Sequence, residues 1–448
     1  MRNRLALVSS VVLGTVAALA LSVAPTFAAG AAPAAPTFTK DVAPILMRSC
    51  VGCHRPGQVA PMSLLTYDEA RPWARSIKNR VSKREMPPWN LDPTVGIKEI
   101  LDDPSLSETE IETVVRWVDS GAPKGTDADM PAAPTFASVD TWSIGEPDFI
   151  IEAPEWTQPA QGADWFGDFY VDSKLTEDRW IKAIEVLPTV KGRRAVHHAI
   201  VYSLQDDKDL LKEMLPVRPP DGFNPNNGTR LAEYTIGNNG DIYNDGTARL
   251  IKAGSKIHFN AHYHSYGEEV KDRIRVGLKF YPKDYQPKYV LMNKLLSASG
   301  YLDIPAGAAN VRNDGYFMLP KPTKLMLFQP HMHWRGKSMQ LEAIYPDGRV
   351  ELISSVPHFD SNWQITYAYK YPPVFPAGTV LHQTSVHDNS AANKNNPDPG
   401  NWVGGGERTV DEMSIAHIDF IYLTDEDYQA ELRAKELRTR ARPSDQQQ

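Results

Sequence analysis

The stretch Gln329-Pro330-His331-Met332-His333-Trp334-Arg335-Gly336 holds a His-x-His pair. On a β-strand, residues i and i+2 point to the same face, so two imidazoles at this spacing can grip one metal ion. Imidazole suits copper, zinc, iron and nickel alike, and the pair alone does not name the metal. It does not stand alone. Of the twelve histidines, seven fall into three tight groups: His197-His198, then His258, His262 and His264, then His331 and His333. Each neutral imidazole carries a donor and an acceptor, and burying them unpaired is costly; a shared metal removes that cost. The adjacent pair His197-His198 is awkward, because neighbours on a flat strand face opposite ways. Both serve one metal only if the strand is bulged or ends there, or if they use different ring nitrogens. Otherwise one is a ligand and the other structural.

A second chemistry sits near the start. Cys50-Val51-Gly52-Cys53-His54 is the attachment signal for a covalent c-type haem. The two thiols add to the haem vinyl groups and His54 supplies an axial nitrogen to iron. The competing reading, a thioredoxin-like redox pair, needs a strand before the motif and a longer helix after it, whereas Arg55-Pro56-Gly57 breaks the chain at once. Candidates for the sixth iron ligand are Met47, Met62 and Met86. Met86 is preferred: it lies in Glu85-Met86-Pro87-Pro88-Trp89, an extended segment just after a helix, placed to cross the opposite haem face. A Met/His iron has a raised reduction potential, which suits an electron carrier.

The elements that position these groups follow from composition and pattern. A chain of 448 residues has room for several domains, and a net charge of −7 gives no reason to expect nucleic acid or an anionic membrane surface as partner. Residues 1–28 read as a secretory signal peptide: Arg2 and Arg4, an apolar run, then a small-residue cleavage site. The mature protein is therefore expected in a bacterial periplasm or secreted, and no later stretch is long and apolar enough to span a bilayer. Cys50 and Cys53 are the only cysteines, so none remains for a disulfide elsewhere. Capping boxes at Thr66-x-x-Glu69 and Ser107-x-x-Glu110 open two helices. Their apolar faces carry Ala70, Trp73, Ala74, Ile77 and Val81, and Ile111, Val114, Val115 and Val118. These fit a small all-α haem domain over residues 36–126.

Residues 127–140 read as a linker. Beyond them, short β-branched and aromatic runs alternate with turn signals such as Asn226-Asn227-Gly228 and Pro346-Asp347-Gly348. This predicts two all-β sandwiches, over residues 141–300 and 301–424. Residues 425–448 predict a charged, solvated helix running into disorder.

The histidine groups, in this order, resemble the copper type II, ascorbate-dependent monooxygenases, the family of peptidylglycine α-hydroxylating monooxygenase and dopamine β-monooxygenase. His197-His198, Ala261-His262-Tyr263-His264, His331-Met332-His333 and Asp411-Glu412-Met413 match its motifs over about residues 140 to 425. The haem domain lies outside that resemblance. The resemblance implies jelly-roll-like sandwiches and two copper ions, one held by His197, His198 and His262, the other by His331, His333 and Met413. It implies oxygen activation and C–H hydroxylation of a small molecule at the second ion, with the first supplying an electron. The thioether of Met413 is a soft ligand that favours Cu(I). The fused haem is then an electron donor, replacing or supplementing ascorbate, refilled by ascorbate or a periplasmic redox protein. Two departures matter. The chain lacks the disulfides of the animal relatives. Gln329 also stands where the peptide-hydroxylating relatives have an arginine that holds a carboxylate, which argues against a peptidylglycine substrate.

Two other readings compete. One is a non-catalytic electron-transfer or redox-sensing cytochrome fused to a copper-binding module. The other is a zinc hydrolase; it needs a carboxylate base near the histidines, and none is close to His331 in sequence.

Overall fold

The computed structural model describes residues 34–136, 138, 140–205, 229–236 and 240–441. The expected leader peptide and the turn at Asn226-Asn227-Gly228 lie outside these. The described chain is mostly β-sheet, with a few short helices near its start and one at residues Asp425–Ala441.

Both capping boxes close. Thr66 Oγ1 accepts from the Glu69 backbone N–H while the Glu69 carboxylate takes the Thr66 N–H, and Ser107 and Glu110 do the same at the start of the helix Glu108–Asp119. Each box satisfies two N–H groups that helical geometry leaves unpaired. The helices Ala43–Ser49, Ala74–Ser82 and Glu108–Asp119 enclose a core of their own around Phe38, Leu46, Ile77, Val114 and Trp117. Trp73, expected on the buried face, is 43% exposed. A single 3-10 turn at Arg71–Trp73, with Pro72 inside it, changes the helical phase before Ala74.

The chain then leaves this core. Trp89 and Leu91, with Ile97 and Ile100, pack into the core of the most C-terminal sheets. Backbone bonds fix the strap: Asp92 N–H donates to Ser355 O at 2.8 Å and Ile97 N–H to Ile353 O at 2.9 Å. Residues 89–101 thus lie against sheet, although sequence position placed them in the helical domain. Large apolar side chains with no helical partner find a home on the far side of the chain.

Two face-to-face pairs of sheets follow. In the first pair, one sheet orders Trp165–Asp172, Lys256–Tyr263, Val196–Leu204 and Thr229–Thr235, all antiparallel. The other contains Phe149–Glu152, Arg275–Phe280, Arg179–Leu187 and Thr247–Ile251. Ile181, Ile184, Val276 and Leu278 from one meet Val201, Leu231, Ile257 and Phe259 from the other. In the second pair, Met292–Ser297, Ile415–Tyr422 and Thr323–His331 form the sheet that faces Val311–Met318, Val380–His387, Gly336–Ile344 and Val350–Val356. The crossing between pairs falls near Leu291. Tyr289–Val290 still pairs with the first half while Met292–Ser297 already pairs with Ile415–Tyr422.

The halves are tied by buried polar groups. Arg249 Nη2 donates to Asp419 Oδ2 at 2.7 Å, and Arg230 Nη2 donates to Gln329 Oε1 at 3.2 Å. Gln329 in turn donates to Glu233 Oε1 at 3.0 Å. No helix among the described residues is long and apolar enough to cross a membrane.

Candidate metal centre

The strand Lys256–Tyr263 alternates. Ile257, Phe259, Ala261 and Tyr263 enter the core, which turns His258, Asn260 and His262 to the opposite face. His198 is the cross-strand partner of His262. The register shifts between Val196 and His198, one of the geometries that lets adjacent residues address the same side. His197 joins His198 there, with their Nδ1 atoms 3.1 Å apart. One nitrogen from each of His197, His198 and His262 lies within 4.8 Å of the others. Three nitrogens so grouped match the reach of a first-row ion, whose bonds to imidazole are about 2 Å.

His331 and His333 come from the other half. His331 is the last residue of its strand and His333 lies in the turn beyond it, so the pair sits at a strand end instead of within a strand. Their rings are 5.4 Å apart between centroids, and His331 stands 6.1 Å from His198. All five imidazoles line one cavity of ≈ 230 Å³, together with Asp164, Phe166, His264, Trp334 and Gln364 among others.

The turn at His333 is held by a residue of the Asp411-Glu412-Met413 motif. The Glu412 carboxylate, fully buried, accepts the backbone N–H of His333 at 3.0 Å and of Arg335 at 2.6 Å. His333 Nδ1 donates to Asp411 O at 3.0 Å, and the Arg408 carbonyl is a second backbone acceptor beside the ring. Met413 is half-buried and is not among the residues lining the cavity; its carbonyl accepts from His387 Nε2 at 3.0 Å. The structure therefore brings together five of the six proposed copper ligands.

The chemistry of the donors fits a metal. Burial, and then the neighbouring imidazole charges, push His197 down to about 3 and His331 down to about 3. Burial lowers His333 to about 4, and His198 falls well below its ordinary value. All four are neutral at pH 7, with lone pairs free to bind. His331 Nδ1 is buried with no hydrogen-bond partner.

Asp164 is the residue that sequence reasoning missed. It accepts from His262 Nε2 at 2.8 Å, which reserves Nδ1 for a metal, and that bond holds its carboxyl below the usual range. Its only sequence signal was its acidic character, 98 residues from its partner. His258 lies on the same face but is engaged elsewhere: its Nε2 donates to Asp168 at 2.6 Å and its ring stacks between Tyr170 and Tyr202. His417, which the sequence left without a role, is buried 5.8 Å from the His331 ring between centroids.

The Cys50-x-x-Cys53-His54 segment forms turns directly after the helix Ala43–Ser49, without the preceding strand a thioredoxin-like site needs. Burial pushes the Cys50 thiol up to about 12 and raises that of Cys53, so neither is an activated thiolate. His54 Nδ1 donates to Met62 O at 3.2 Å and leaves Nε2 available, the arrangement an axial iron ligand needs. Met47 and Met62 pack against the helical core alongside Cys50. Met86 is half-buried outside that core, where the strap begins.

No protein-family profile matches the chain. No curated protein matches it. Among solved structures, the major capsid protein P2 of bacteriophage PM2 aligns over 62% of this chain and 98% of its own, with 8% identity and a TM-score of 0.22. A putative alpha-L-fucosidase from Bacteroides ovatus aligns over 70% and 43%, with 9% identity and a TM-score of 0.15. The infectious bursal disease virus Gx strain structure aligns over 64% and 75%, with 9% identity and a TM-score of 0.18. Likenesses this weak carry no argument about fold or function.

Proposed function

We propose that this chain is an exported haem- and copper-dependent monooxygenase that hydroxylates a C–H bond of a small molecule with dioxygen. In this reading the helical module is a c-type cytochrome domain and the two sheet pairs are jelly-roll-like sandwiches. The observation that carries the proposal is the convergence of five imidazoles, three from one half and two from the other, on one cavity.

Copper, when bound, supplies the one-electron redox chemistry and oxygen activation that no side chain provides. His197, His198 and His262 would hold one ion; His331 and His333 would hold the other, with Met413, outside the cavity lining here, as the soft third donor the resemblance implies. The chain's own residues do the rest. Asp164 fixes which nitrogen His262 offers, and the Asp411 carbonyl anchors the His333 ring. Glu412 clamps the turn that presents His333. Phe166 stacks on His262 at 4.0 Å and lines the cavity with Trp334. Gln329 is buried in the network with Arg230 and Glu233, so it presents nothing to a substrate carboxylate, in keeping with a substrate other than a peptidylglycine. An external donor, ascorbate or a periplasmic redox protein, would refill the haem.

The test is oxygen uptake by the copper-loaded holoprotein, matched mole for mole to a hydroxylated product across a panel of small molecules. His331→Ala should lower turnover at least about 100-fold while the haem spectrum is unchanged. Oxygen uptake without product would instead favour the electron-transfer or redox-sensing protein. One observation bears on a zinc hydrolase: the cavity does contain a carboxylate, Asp164. That carboxylate is tied to His262 and held in its weakly basic, ionised form, which suits an orienting group better than a general base.

A further inference from the structure

Beside the Cys-x-x-Cys-His turn two arginines, Arg55 and Arg193, meet at the Gln58 amide. Arg55 follows the attachment histidine. Arg193 lies in the short 3-10 turn Gly192–Arg194, which leads into the strand of His197 and His198. The Gln58 amide bridges them: its oxygen lies 3.4 Å from Arg193 Nη1 or, with the amide turned over, 3.0 Å from Arg55 Nη2. The Nε atoms of both arginines are buried with no hydrogen-bond partner, and among the described residues neither arginine has a carboxylate in ion-pair contact. The Arg55 guanidinium carbon lies 4.2 Å from the centroid of the Phe136 ring. Glu185, which senses Arg193, is occupied by the backbone N–H groups of Ser143 and Ile144. Two half-buried guanidinium groups that share one amide offer their remaining N–H donors to an anion.

We propose that Arg55 and Arg193 together seat the two carboxylates of a haem attached at Cys50 and Cys53. A haem so attached carries both thioethers and the iron axis on the motif, and two propionates on one edge. Paired guanidinium forks match two carboxylates in charge and in hydrogen-bond geometry. The unusual feature is that Arg193 belongs to the sheet half, so the haem edge is pinned by both modules. Tyr234 senses both Arg193 and Cys53. It pairs in register with Ala199, and Thr235 with His198. The seat thus sets the haem against the strand pair that carries the first imidazole set. Arg193 is a positioning residue here and touches no substrate.

The proposal rests on the haem part of the reading above and not on copper. Its test uses the full-length holoprotein with copper removed by a chelator. A sample with no covalent c-type absorption band refutes the haem reading itself, before any potential is measured. With haem attached, Arg193→Gln should lower the midpoint potential, because a fixed cation near iron favours the ferrous state. It should also make that potential vary with pH across neutrality, since a carboxylate freed of its cation titrates higher. Arg55→Gln should do the same, and Arg193→Lys should shift less. Arg194→Gln, which removes a guanidinium stacked on Tyr266 instead, should change nothing. If Arg193→Gln does not accumulate with haem, Arg55→Gln decides by the same two readouts. A potential and pH profile identical to wild type in Arg193→Gln, or in Arg55→Gln where it stands in, would overturn the proposal.

Discussion

Asp164 and the imidazoles it serves set the properties of the cavity one residue at a time. Asp164→Asn keeps the shape but loses the charge that orients His262, so copper affinity of the three-histidine set should fall about 10- to 100-fold. A competition titration with a chromophoric chelator measures this, and an unchanged affinity would remove Asp164 from the site. The lowered imidazoles also predict a pH dependence. His197, His331 and His333 titrate in the folded protein near 3, 3 and 4, against an ordinary value of 6.5. Above 6.5 both folded and unfolded chains hold them neutral, and stability is complete. Below 6.5 the unfolded chain takes up protons that the folded chain refuses, so stability drains as pH falls from 6.5 towards the folded values. The slope is up to about 1.4 kcal/mol per pH unit per imidazole. Metal-free protein should therefore unfold at clearly lower urea at pH 5 than at pH 7.5, and equal midpoints would contradict the burial of these rings. At this scale the sequence was legible where chemistry is local. His197 and His198 are adjacent in the chain. Asp164 was not legible, because its partner is brought to it only by strand pairing.

The elements explain what pattern alone left open. The two capping boxes named their helices, whereas the shared face of His258 and His262 came only with the strand that carries them. The shift between Val196 and His198 was foreseen only as one of several ways out, since a bulge depends on the partner strand and leaves no mark in the residues themselves. The strap over residues 89–101 was unreadable for a similar reason. Trp89, Leu91, Ile97 and Ile100 are too few and too irregularly spaced to declare a period, and their partners lie more than two hundred residues on. Gly96 is the strap's test. It has φ +62, and a Cβ there would stand 2.4 Å from Ile353 O. Gly96→Ala should destabilise the protein by about 1–3 kcal/mol, read as a lower midpoint of thermal unfolding, with the covalent haem spectrum intact. A neutral effect would mean that the strap is loosely held.

At the scale of the molecule, neither half carries the whole cavity. His197, His198 and His262 come with the first sheet pair and His331 and His333 with the second, so the site exists only while the pairs are docked. Arg249 with Asp419, and Arg230 with Glu233 and Gln329, fasten that contact. Asp419→Ala leaves Arg249, 2% exposed, as an uncompensated buried charge. It should cost about 3–5 kcal/mol and weaken metal binding by both imidazole sets at once. Calorimetry and metal titration on the same sample check this; full stability would show that the docking rests on the apolar contacts alone. Two β-rich halves were legible from strand-like runs and turn signals. Their mode of docking was not, because the arginines and acids that fasten it look in sequence like ordinary surface charge.

The central claim, a haem joined to a two-copper cavity, is tested most directly by counting metals in the purified mature protein. The account predicts one covalent haem iron with two coppers per chain, reduced to one copper by His198→Ala. Zinc in the cavity, or no metal beyond iron, would contradict it and reduce the chain to a cytochrome with a binding module.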